Sequence, residues 1–131
     1  MSMTHQEIFD RVSTHLFRQG EPSTSKTGFC RYRGPNGASC AIGCLIPDEF
    51  YDKSIEGKDI SVLVVQAALF NAGVISEITG DDLFGNTRNT VALLTRLQSV
   101  HDHASRWRCP NFLELVNKEL RRVAEDFGLE L

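Results

Sequence analysis

A chain of 131 residues fits one domain, long enough for a real core and too short for two. With 41% apolar and 24% charged residues, it has the composition of a globular protein and not of a disordered one. A net charge of −3 argues against broad capture of nucleic acid or anionic membrane, and no apolar run approaches the roughly 20 residues that span a bilayer.

The polar start Met-Ser-Met-Thr-His-Gln-Glu lacks the apolar segment of a signal peptide. The expectation is therefore a cytoplasmic protein with reduced cysteines, since four of them are too sparse for a disulfide scaffold. In chain order, Thr4 and Glu7 form a capping box, and Met3 and Ile8 occupy the positions of a hydrophobic staple. Ile8, Phe9, Val12 and Leu16 give the first helix its apolar face, and Gly20 closes it. Residues 21–27 read as a polar loop.

Residues 29–33 alternate like a strand, and Pro35-Asn36-Gly37 is turn chemistry, because proline presets one dihedral and Asn-Gly tolerates positive φ. A hairpin over residues 28–43 would pair Tyr32 with Cys40 and Cys30 with Ile42, with Arg31, Arg33 and Ser39 on the opposite face. A competing reading starts a short helix at Ser39, placing Cys40 and Cys44 one turn apart. Gly43 weakens either element, and Ile46-Pro47 ends both.

Residues 59–72 are apolar nearly all round and stop at Gly73, which predicts a buried central helix; the β-branched run 62–65 keeps a strand open at its start. Residues 81–85 read as a short turn or a single helical turn. A long helix follows over 87–107, with Leu93, Leu97, Val100, Ala104 and Trp107 as its stripe. Trp107 is expected to plug the core at the helix junction. The last helix is capped by Asn111 with Glu114, is expected to bury Phe112, Leu113, Val116, Leu120, Val123, Ala124 and Phe127, and ends in a Schellman turn at Gly128-Leu129. The expected fold is a single α+β domain over 1–131, about four helices around 60–72 with a small hairpin near 28–43.

Zinc sites favour close pairs such as Cys-x2-Cys, which this chain lacks, and His101 and His103 point about 200° apart on a helix. No metal or cofactor is expected. His101 lies beside Leu94 at the edge of the apolar stripe, where a partly buried, hydrogen-bonded histidine is the ordinary outcome. As nucleophile the sharpest candidate is Cys40, whose thiol a helix start at Ser39 would activate, with His101 as its base. Against this, Asp102 is expected on the solvent side of its helix, away from His101.

Arg31 and Arg33 would project from one strand face and could clamp a phosphate or carboxylate; pairing with Asp48, Glu49 or Asp52 is the plainer reading. The run 45–52 offers Asp48, Glu49, Tyr51 and Asp52 to a protein partner. With Tyr32 and Asn36, these form the candidate binding set.

The segment Cys30-x-Tyr32-Arg33-Gly34-Pro35-Asn36-Gly37-x-x-Cys40-Ala41-Ile42-Gly43-Cys44-Leu45-Ile46-Pro47-Asp48-x-x-Tyr51 resembles a family of small hypothetical proteins of phages and prophages. The likeness extends to an N-terminal helix, to Leu97-Gln98-Ser99-Val100-His101-Asp102, and to the closing Phe127-Gly128-Leu129. The family brings no residue roles with it. It implies a small accessory protein in the bacterial cytoplasm that binds a host protein, host-defence components included. The rival readings are a hydrolase or transferase using Cys40 and a binder of a small phosphorylated ligand through Arg31 and Arg33.

Overall fold

A computed structural model describes residues 3–25, 30–75, 85–106 and 112–131, without the side chains of 36, 85–88 and 104–106. The described chain forms four α-helices, α1 (His5–Gln19), α2 (Leu63–Asn71), α3 (Gly85–Arg106) and α4 (Phe112–Phe127). Short 3-10 turns at Pro35–Gly37, Gly43–Leu45, Asp48–Phe50 and Lys53–Ile55 fill the span between α1 and α2. The expected turn at 81–84, Trp107 and the Asn111 cap lie outside the described residues.

α1 begins as expected. The Glu7 amide donates to Thr4 Oγ1 at 3.1 Å, and the Thr4 amide donates back to Glu7 at 2.9 Å. Hydrogen bonds from the Thr4 backbone and side chain to the Glu7 carboxyl hold it below its ordinary range. Its apolar stripe is buried, and Gly20 ends it at φ 69°. α4 also ends as expected: Leu129 donates to Ala124 at 2.8 Å across Gly128, the long bond of a Schellman turn.

The α+β expectation is overturned. Among the described residues there is no strand, only an isolated antiparallel bridge between Thr24 and Cys30. The turn at 35–37 does form, with Gly37 at φ 75° and the Gly34 amide donating to Ala38 O at 2.8 Å, but beyond that bond the described arms do not pair. Their backbone groups are taken elsewhere. Arg31 pairs with the preceding segment, its amide donating to Ser23 O at 3.0 Å and its carbonyl accepting from Ser23 Oγ at 2.8 Å. The Ser39 amide goes to Gln19 Oε1 at 2.9 Å and the Ile42 amide to Gln98 Oε1 at 3.2 Å. Helix side chains thus satisfy donors that a ladder would have used. The second arm also breaks the strand pattern by burial, since residues 39–43 are all buried where alternation needs every second one exposed. Cys44 donates to Cys40 O at 3.1 Å, so these two cysteines do sit one turn apart, in a bend closed by the 3-10 turn.

α2 is not the centre of the domain. It starts four residues later than expected and leaves Leu63 58% and Phe70 44% exposed. The central element is α3, whose Leu93, Leu94, Leu97, Val100 and His101 are buried, and which packs on α1 and α4. Among the described residues no helix is long and apolar enough to cross a membrane.

Candidate functional site

Tyr32 and Arg33 each donate a backbone N–H to the Glu56 carboxylate, at 2.9 Å to Oε1 and 3.0 Å to Oε2. The Tyr51 hydroxyl donates to Oε2 at 2.7 Å, and the Arg31 guanidinium lies 3.8 Å from it. The anion clamp expected of the arginines thus exists in another form, and the chain's own Glu56 fills it. Arg33 turns the other way. Its guanidinium donates to the carbonyls of Gly43 and Ile46, both at 2.6 Å, reaches Asp48 at 3.1 Å and stacks over the Tyr51 ring at 4.9 Å. Burial and the Glu56 carboxylate push the Tyr51 hydroxyl pKa up. Of the candidate binding set, Arg31, Tyr32, Arg33, Asp48 and Tyr51 therefore come together as scaffold. Glu49 is exposed, and Asp52 caps the Lys53–Ile55 turn by accepting from the Ser54 amide at 2.8 Å. Asn36 belongs to the Pro35–Gly37 turn.

Cys40 is fully buried, and its sulfur accepts the Gly43 amide at 3.3 Å. It starts no α-helix, so no macrodipole acts on its thiol. Cys30 is half-buried, and a hydrogen bond with Cys40, then burial, push its thiol far above the ordinary range. Burial raises Cys44 to about 12. Cys30, Cys40 and Cys44 are free cysteines with the character of packing thiols.

His101 is buried, and both ring nitrogens are engaged. The Ser23 amide donates to Nε2 at 2.9 Å, which places the ring proton on Nδ1, 3.1 Å from Asp102 Oδ1. Asp102 is therefore not turned away from His101, as its helix position suggested. Adjacent residues meet because the ring swings toward the helix flank. Gln98, one turn earlier, donates to the same oxygen at 2.8 Å and to Cys30 Sγ at 2.9 Å.

This is not a catalytic triad. Cys30 lies 3.8 Å from Nδ1, the nitrogen already facing Asp102, whereas a triad sets nucleophile and acid on opposite ring nitrogens. Cys30 Sγ, His101 Nδ1 and an Asp102 oxygen all lie within 4.8 Å of one another, the spacing of a metal ligand set. A metal on Nδ1 would move the proton to Nε2, against the Ser23 N–H. The donors therefore suit a hydrogen-bond network better than a cation.

The network backs onto a cleft of about 630 Å³, within the range of ligand sites. α3 supplies one wall through Val91, Thr95, Ser99 and Asp102; Tyr32 and residues 57–61 supply the other. Burial alone would raise the Asp102 carboxyl, but hydrogen bonds from His101, Cys30 and Gln98 outweigh it and hold the group below its ordinary range. A carboxyl depressed in the folded state supports the fold above its unfolded value near 4, and that support fades as pH falls through the lower folded value. Asp102→Asn should therefore be less stable than the parent at pH 7, and the gap should narrow in urea titrations near pH 3. An equal gap at both pH values would contradict the assignment.

The residues that sequence reasoning missed are Glu56, Gln98 and Ser23. Glu56 and Ser23 act on backbone groups of distant segments, which leave no spacing signal. Gln98 stood in the Leu97–Asp102 stretch, one turn before Asp102, with no role attached to it. No family model matches the chain, and no similar protein was found among curated sequences or solved structures.

Proposed function

We propose that this is a non-enzymatic binding protein that receives part of a partner protein in the cleft between α3 and residues 57–61. In the phage or prophage setting of the family resemblance, the partner is a protein of the bacterial cytoplasm, with host-defence components as the class to test first. The observation that carries the reading is the double engagement of His101. With Nε2 on Ser23 and Nδ1 on Asp102, the ring has no lone pair for a cysteine, while the Asp102 carboxylate lines an open cleft. The phosphorylated-ligand reading loses support because Arg33 is spent on two carbonyls and Arg31 faces Glu56.

Two measurements test this. Iodoacetamide at pH 7.5 should modify Cys30 and Cys40 of the folded protein at least a hundredfold more slowly than it modifies free glutathione. Modification of either at the free-thiol rate would restore the enzyme reading. Affinity capture from host lysate should retain a partner that Thr95→Arg, a substitution filling the cleft, releases. Equal capture by both forms would move the interface elsewhere.

A further inference from the structure

We propose that Cys30 and Cys40 are a redox-sensitive pair that closes into an intramolecular disulfide when the protein meets an oxidising pool of low-molecular-weight disulfide. Such a bridge modifies the chain itself, whatever partner the cleft receives. The two thiols are hydrogen-bonded to each other. One side-chain amide holds both sides of that contact: Gln98 Nε2 donates to Cys30 Sγ at 2.9 Å, while Gln98 Oε1 takes the Ile42 amide at 3.2 Å. The Cys40 sulfur is fixed beside Ile42, accepting the Gly43 amide at 3.3 Å. Sulfurs in hydrogen-bond contact have only about 2 Å left to close to the bonded length.

Exposure divides the roles. Cys30 is half-buried and lines the open cleft, so a small disulfide such as oxidised glutathione can meet it there. Cys40 is fully buried, so it is the second thiol to react. In the first step the Cys30 sulfur attacks one glutathione sulfur. A mixed disulfide forms, the glutathione S–S bond breaks, and the departing thiolate takes up the Cys30 proton. The Cys40 sulfur then attacks Cys30 Sγ, and the second glutathione leaves with the Cys40 proton. Two electrons pass from the cysteine pair to the glutathione disulfide, which becomes two thiols. Exchange starts slowly, because burial and the bond to Cys40 keep the Cys30 thiol protonated, in keeping with its slow alkylation. The pair is thus a staple set by the prevailing redox state. Cys44 is engaged elsewhere, its thiol donating to the Ala41 carbonyl at 3.0 Å, and Cys109 lies outside the described residues.

The experiment equilibrates the full chain with a buffer of oxidised and reduced glutathione, quenches with acid, and maps disulfides by mass spectrometry. Trypsin cuts after Arg31 and Arg33 and so separates the two cysteines. The Cys30–Cys40 bridge should exceed the glutathione adduct of Cys30 and every other pairing at least tenfold, and lose that lead when oxidation is carried out in denaturant. Cys44→Ser and Cys109→Ser should each leave the bridge intact, whereas Cys30→Ser should leave Cys40 reduced. The bridged protein should melt above the reduced one, since the cross-link restricts the unfolded chain. Predominant pairing through Cys44 or Cys109, a glutathione adduct that never resolves, or two thiols still reduced at equilibrium overturns the assignment. A bridged form that melts below the reduced one overturns it as well, because the folded backbone then rejects the cross-link.

Discussion

Glu56→Ala is expected to lose about 3 kcal/mol of folding stability, because it strands two backbone amides and a tyrosine hydroxyl at once. Each abandoned donor costs on the order of 1 kcal/mol or more when water cannot reach it, and the Glu56 side chain is only 14% exposed. The Arg31 guanidinium adds little, at 3.8 Å and 40% exposed. Glu56→Gln should fall between parent and alanine variant, since one amide oxygen still accepts while its NH2 confronts a donor. A specific check is rescue. Acetate should restore part of the stability of Glu56→Ala by entering the vacated site, beyond its effect on the parent protein. Equilibrium urea unfolding reads all three. A loss below about 1 kcal/mol would mean that water replaces the carboxylate without penalty.

Gly43→Ala is expected to be at least as damaging, for a steric reason. A Cβ at Gly43 would run into the carbonyl oxygen of Tyr32, which is backbone and cannot rotate aside. Two chain segments cross there at van der Waals contact, with Arg33 stitching them together through the Gly43 and Ile46 carbonyls. Separating them would loosen those bonds and the Glu56 clamp together, for about 3 kcal/mol or more. Gly37→Ala is the control. Its Cβ would meet nothing within 4 Å, and only its φ of 75° opposes the change, costing about 1 kcal/mol. If the two substitutions cost the same, the close crossing is absent.

What the sequence made legible follows from the range of each interaction. The α1 cap and the Schellman end of α4 depend on residues within six positions, and both were readable. The turn at 35–37 was readable for the same reason, and Gly37 adopts the conformation that Asn-Gly announces. The hairpin was not, because local chemistry creates the turn whereas distant partners decide whether its arms pair. Ser23, Gln98 and Glu56 won that competition from outside the segment. Residues 59–72 misled in another way. An all-round apolar stretch signals burial, yet Leu63 and Phe70 are exposed while the more amphipathic α3 holds the centre. His101 was legible as a hydrogen-bonded histidine at the stripe's edge, but expected only partly buried, whereas it is fully buried. Its contact with Asp102 was not, because helical angle separates neighbours while side-chain reach rejoins them.

The side-chain acceptors on α3 also tie order in the 21–45 segment to distant secondary structure. The amide protons of Ser23 and Ile42 end on His101 and Gln98, 78 and 56 positions away in sequence. Neither proton gains its native acceptor until α3 has formed and docked, so the segment stays late in any assembly order that begins with local helices. Its solvent exchange accordingly reports the opening of α3, whereas Ser39, held by Gln19, reports α1. Neighbouring loop amides thus act as separate gauges of two different helices.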